Sequence, residues 1–244
     1  MESLVGTGGW AYFQIPGMDS LQAYARAFNY VEVNATFYQL PPLEQVRSWR
    51  ERAPDGFAFA VRCHRGITHA HGLDPSKRTL ELWASMVEIT EALDAEALHL
   101  LTPPSLPFGP EEVDHLATLL DSVPATCPVA LEPRAHAQQP LPEDLRVLME
   151  DRGLVHSVDL SKEEPQVDRP VLYTRLFGKG YHTVYRFSDE ELASIRARAA
   201  DGGYDKALFT FHGIRMYSDA GRFLHYVRSG SFPSAGAPGQ GRLP

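Results

Sequence analysis

The sequence predicts an α/β fold of the TIM type, a single-domain (β/α)8 barrel, on three observations. Eight short apolar runs recur at a mean spacing of about 30 residues, the length of one strand–helix unit. Amphipathic segments with helical periodicity separate most of them. The 244 residues also suit such a barrel, which typically needs about 250.

The apolar runs fall at residues 4–8, 30–34, 57–64, 97–102, 128–132, 154–159, 171–177 and 206–212. Between them, Leu21, Tyr24, Ala25 and Phe28 recur at helical spacing, as do Leu82, Met86, Ile89 and Leu93. Pro110 ahead of Glu111 and Glu112, and Pro142 ahead of Glu143 and Asp144, suit first helical turns. Ser188 and Glu191 have the form of a capping box, and Leu192, Ile195 and Ala199 continue one face behind it. Residues 161–170, rich in Glu and Pro, predict a loop or a single turn where the sixth helix would stand. The barrel is expected over residues 1–228, with 229–244, mostly Gly, Pro and Ser, as a disordered tail.

The net charge of −8 argues against a generally basic, nonspecific nucleic-acid binder. Two cysteines, Cys63 and Cys127, are too few for a disulfide framework. The amino terminus has no basic region followed by an apolar stretch, and no window approaches the ~20 apolar residues of a membrane span. A cytoplasmic protein without membrane association is therefore expected.

Alternate strand residues face opposite sides, so in a barrel one parity packs under helices and the other faces the axis. Phe57, Phe59, Val61 and Cys63 share the outward parity, which predicts a buried, inert Cys63; Ala58, Ala60, Arg62 and His64 face in. The same arithmetic turns Glu32 and Asn34 inward on the second strand, Glu132 and Arg134 on the fifth, Tyr173 and Arg175 on the seventh, and Thr210 and His212 on the eighth. Asp159 closes the sixth. Barrel sites form at the carboxyl ends of strands, and buried charges must pair with one another or with a ligand. His64, His69 and His71 cluster after the third strand, but no carboxylate motif accompanies them, so no metal or other cofactor is expected. Gly6, Gly8 and Gly9 lack the spacing of a dinucleotide fingerprint and predict a bend after the first strand. Gly178 and Gly180, after Arg175, offer backbone amides to an anion.

The blocks Gly6-Thr7-Gly8-Gly9-Trp10, Val31-Glu32-Val33-Asn34-Ala35-Thr36-Phe37-Tyr38-Gln39-Leu40-Pro41 and Phe57-Ala58-Phe59-Ala60-Val61 leading to Thr68-His69 resemble the YecE-like family, domain of unknown function 72. Fainter echoes run through Pro103-Pro104, Glu132-x-Arg134, Val158-Asp159 and Tyr173-x-Arg175 to His212. The resemblance implies a TIM-type barrel similar in shape to apurinic-endonuclease and xylose-isomerase barrels, with no established reaction. Arg62 stands where relatives usually carry Lys, and Ala135 where they carry His.

The expected function is an enzyme acting on a small anionic or sugar-like substrate by general acid–base chemistry. Glu132, Asp159 and Glu32 are the catalytic candidates. Asn34, Arg62, His64, His69, Arg134, Arg175 and His212 are the ligand-binding candidates, with Arg134 and Arg175 as anion clamps. A nucleic-acid-binding barrel is second choice as to partner, and a non-catalytic ligand-binding barrel is a third possibility.

Overall fold

The computed structural model of the chain describes residues 1–179 and 184–233. Its eight strands are β1 (Glu2–Thr7), β2 (Tyr30–Val33), β3 (Ala58–Arg62), β4 (Ala97–Thr102), β5 (Val129–Pro133), β6 (Val155–His156), β7 (Val171–Leu176) and β8 (Lys206–Phe211). Each named pairing is parallel, in the order β6-β5-β4-β3-β2-β1-β8-β7. β6 is only two residues long, so the last seam closes just beyond it, where Val158 bridges Thr174 and the Arg175 N–H donates to the Val158 carbonyl at 3.0 Å. Closure turns the sheet into a barrel and leaves its axis lined by the inward parity of every strand.

Seven α-helices are present among the described residues: α1 (Ser20–Ala27), α2 (Leu43–Arg52), α3 (Lys77–Leu93), α4 (Pro110–Ser122), α5 (Glu143–Asp151), α6 (Asp189–Asp201) and α7 (Met216–Ser229). The Ser188–Glu191 capping box starts α6 as expected, and Pro110 opens α4. No α-helix links β6 to β7. The connection is irregular, as its Glu and Pro content predicts. No helix among the described residues is long and apolar enough to cross a membrane.

The apolar residues divide into two bodies. Phe59, Val61, Val31, Leu131 and Phe209 join the large core between sheet and helices, and Cys63 lies buried with them. Burial pushes the Cys63 thiol far above its ordinary value, which keeps it protonated and inert. Inside the barrel, Leu4, Tyr30, Ala58, Ala60, Ala97, Ala130, Val155, Tyr173 and Leu208 form a second, smaller core. The alanines of β3, β4 and β5 leave room for the two tyrosine rings. Tyr30 Oη lies 2.9 Å from Thr210 Oγ1, and the Tyr173 hydroxyl donates to Glu32 at 2.6 Å, so polar contacts climb from this core toward the carboxyl end.

Gly6 is required by close approach. A Cβ there would lie 1.9 Å from the Tyr30 carbonyl oxygen on β2. Of the expected tail, Ser229 ends α7 and the Phe232 ring stacks on Tyr226 at 4.3 Å, while residues 234–244 lie outside the described residues. Gly180 also lies outside them.

Candidate functional site

At the carboxyl end of the strands opens a cavity of about 450 Å³, bordered among others by Arg62, Glu132, Arg134, Arg175, Ser157 and His212. That is large enough for a small ligand.

Its floor is an ionic network spanning the barrel. Arg175 on β7 sets Nε 3.1 Å from Glu32 Oε2 on β2, and its Nη1 donates to Glu132 Oε2 on β5 at 3.0 Å. His99 on β4 places Nε2 3.1 Å from Glu132 Oε2 and Nδ1 3.6 Å from Glu32 Oε2, with its ring stacked on Tyr173. One guanidinium thus holds two carboxylates across the axis. Burial raises the pKa of both acids, but the Arg175 charge overrides it. Glu32 is held at about 2, and Glu132 well below the usual carboxylate range. Burial opposes charge on Arg175 too, and the two carboxylates keep it firmly protonated.

His212, on the far side of Glu32, has Nε2 3.5 Å from Glu32 Oε1 and stacks on Phe177 at 4.5 Å. Burial, then the Arg175 charge, lowers its pKa to about 3, so it is neutral at pH 7. Gly8 makes room for it, since a Cβ there would come within 2.5 Å of the imidazole. Asn34 donates to the Gly8 carbonyl at 2.9 Å and accepts from Arg62 Nη1 at 3.3 Å. Arg62 sits over Phe37, its guanidinium carbon 3.7 Å from the ring centre, and burial, then Arg175, lowers its pKa to about 10. It remains a cation.

Five expectations need revision. Arg175 is not a free anion clamp, because Glu32 and Glu132 neutralise it. Arg134 borders the same cavity as Glu132 but stands at its rim, not deep in the barrel. Pro133 ends β5, and Arg134 enters a 3-10 turn over Arg134–His136 that leaves it exposed at the cavity rim. His64 accepts from the Gly66 N–H at 3.0 Å and does not border the cavity, because β3 ends at Arg62 and inward parity fails two residues on. Asp159 borders the cavity, but its oxygens are engaged. Oδ1 accepts from the Ser161 N–H and hydroxyl, while Oδ2 accepts from the Phe177 N–H and pairs with Lys162 at 3.0 Å. It anchors loops. His69 packs edge-on to Phe37 beside Arg62, outside the cavity lining.

His99, Ser157 and His156 lie at the site but outside the residues expected from sequence. His99 was legible: Ala97, His99 and Leu101 share the inward parity of β4, and His99 is a lone imidazole in an apolar strand. His156 accepts from the Gln166 N–H at 3.0 Å, and burial lowers its pKa to about 4. Among the described residues no cluster of three or more His, Cys, Asp or Glu has metal-binding geometry. The cation between the two floor carboxylates is Arg175 itself.

The chain is 29% identical over 221 residues to the UPF0759 protein YunF of Bacillus subtilis, covering 85% of this chain and 68% of that protein. It is 34% identical over 119 residues to the UPF0759 protein YecE of Escherichia coli, covering 48% of this chain and 42% of the relative. A DUF72 family crystal structure from Thermotoga maritima superposes with a TM-score of 0.74 at 20% identity, over 94% of this chain and all of that one. More distant barrels share the fold alone. A D-tagatose 3-epimerase-like protein gives a TM-score of 0.61 at 13% identity, covering 93% of this chain and 97% of that chain. Endonuclease IV from Thermus thermophilus gives 0.54 at 12%, covering 92% and 99%. Residues 4–231 match the profile described as "Protein of unknown function DUF72", and the chain belongs to that family.

Proposed function

We propose that the protein is an enzyme that binds a small anionic substrate at the carboxyl end of its barrel, with Arg62 and Arg134 holding the anion and Glu132 acting as base. One observation carries this. Among the described residues, Arg62 and Arg134 border the cavity without an ion-pair partner, whereas the other lining cations, Arg175 and Lys162, are each neutralised. A half-buried guanidinium held below its ordinary pKa gains from an anion brought beside it. Glu132 is ionised and keeps Oε2 on Arg175 and His99, while Oε1 makes no hydrogen bond to a described residue. A carboxylate in that state accepts a hydrogen bond from a substrate hydroxyl, and it serves as a base more readily than as an acid.

A second reading has its own support. Tyr12 and Tyr38 are 81% and 67% exposed on the loops after β1 and β2, at the same end of the barrel, where the bases of a nucleic-acid strand would stack. The barrel shape of endonuclease IV agrees with it, and the net charge of −8 weighs against it.

A thermal-shift screen of phosphorylated sugars, organic acids, nucleotides and single-stranded oligonucleotides distinguishes the two. A ligand at ~100-fold excess over Kd stabilises by about 2.7 kcal/mol. The substrate proposal expects small anions to raise Tm and Arg62→Ala to remove the response. A response to oligonucleotides alone would contradict it.

A further inference from the structure

The inner end of the cavity is built differently from its rim. Register pairs Ala130 with Val155 and Leu131 with His156, so Glu132 on β5 stands beside Ser157, just past β6. Both residues have inward parity, as Ala130 and Val155 do in the inner core, and adjacent strands lie ~4.8 Å apart. Ser157 is 1% exposed and borders the cavity, yet its Oγ makes no hydrogen bond to any described residue. Beside it, Glu132 Oε1 is equally without a donor. Buried Arg62 Nε, with no acceptor, adds a third unpartnered group.

A hydroxyl in this position needs a hydrogen-bond partner, and at the wall of a cavity that partner is solvent or a ligand that displaces it. The chemistry of the set is selective. A bare carboxylate oxygen repels an anion and requires a hydrogen-bond donor. A serine hydroxyl both donates and accepts. A ligand carbon bearing a hydroxyl satisfies both at once, donating to Glu132 Oε1 and accepting from Ser157 Oγ. A ligand made only of anionic oxygens can accept from Ser157 Oγ but offers Glu132 Oε1 no donor.

We infer that Ser157 and Glu132 form a hydroxyl-binding pair at the inner end of the cavity, so that the ligand is a polyhydroxylated anion, of the sugar-phosphate or sugar-acid class. This rests on the proposed anion site at Arg62 and Arg134, and it adds the requirement for hydroxyl groups on the ligand beside the charge.

The test compares matched probes by calorimetric titration of the full chain: three- to six-carbon sugar phosphates and aldonates against alkyl phosphates and alkanoates of equal length. The best hydroxylated probe is expected to bind at least tenfold more tightly than its alkyl counterpart. Ser157→Ala should reduce that advantage severalfold. Because Oγ loses no protein partner, Ser157→Ala should also leave the melting temperature of the free protein unchanged or raised, which a structural serine would not do. Equal affinity of alkyl and hydroxylated probes would overturn the hydroxyl pair while leaving the anion site standing. Loss of fold stability in Ser157→Ala would likewise overturn it. Failure of every phosphate and carboxylate to bind would remove the anion site, and the inference with it.

Discussion

Arg175 on β7 and Glu132 on β5 meet across the barrel axis at 3.0 Å, with Glu32 3.1 Å from the other side of the same guanidinium. This contact neutralises two carboxylates in a space that would otherwise reject them. Among the described residues bordering the cavity, it also leaves Arg62 and Arg134 as the cations without an ion-pair partner.

Arg175→Met should therefore cost about 3–5 kcal/mol, the range for removing one partner of a buried pair and leaving the other charge uncompensated. Glu132→Gln should cost less, because Glu32 still balances the guanidinium. Adding Glu32→Gln to Arg175→Met should recover part of the loss. Urea unfolding of the single and double variants checks this, and strictly additive costs would show that the three side chains are not coupled.

The strand parities behind this network are legible in the sequence. Alternation read on each strand separately places Glu32, Glu132, Arg175 and His212 on the inward face, as it does Ala58, Ala60 and Arg62 on β3. Legibility fades past the strand ends. Alternation still places Asn34 and His212, one residue beyond β2 and β8, but it misplaces His64, two residues beyond β3, and does not show that the turn after Pro133 leaves Arg134 exposed at the rim. Which cations are neutralised is invisible to parity, because it depends on side-chain reach across the axis. Hence Arg175 reads as a clamp in sequence and is a counter-ion in the fold.

Acid should destabilise the fold beginning near neutrality. Burial lowers His212 from 6.5 to about 3 and His156 to about 4, and lowers His99 as well. The unfolded chain then binds more protons than the folded one below 6.5. Stability is complete above that pH and falls as pH drops toward the folded values, by up to ~1.4 kcal/mol per pH unit for each histidine. Glu32, depressed from 4.5 to about 2, adds a further loss only below 4.5. Denaturant midpoints between pH 7.5 and 5 should decline, and His156→Gln should flatten the slope. A pH-independent midpoint over this range would show that these imidazoles are not held neutral.

Gly6→Ala should destabilise by about 1–3 kcal/mol, the usual cost of forcing volume into a packed site, because the new methyl meets backbone at Tyr30. Gly8→Ala meets the side chains of Asn34 and His212 instead, so it should weaken ligand binding more than folding. Melting temperatures and titrations of the two variants separate these effects.

Native-state labelling with a thiol reagent should modify Cys127 well before Cys63. Cys63 is buried beneath the helices, while Cys127 is half-buried ahead of β5. Simultaneous labelling of both would mean that the β3 region opens in the native state.

The most direct measurement is the affinity of the best-stabilising small anion for wild type, Arg134→Lys and Arg134→Ala. Arg134 is exposed and has no ion-pair partner among the described residues, so both variants should melt within about 2 °C of wild type. Affinity should fall at least tenfold, ~1.4 kcal/mol, in Arg134→Ala, and by a smaller factor in Arg134→Lys, which keeps the charge but not the fork. Unchanged affinity in Arg134→Ala would place the anion elsewhere and contradict the assignment of this cavity.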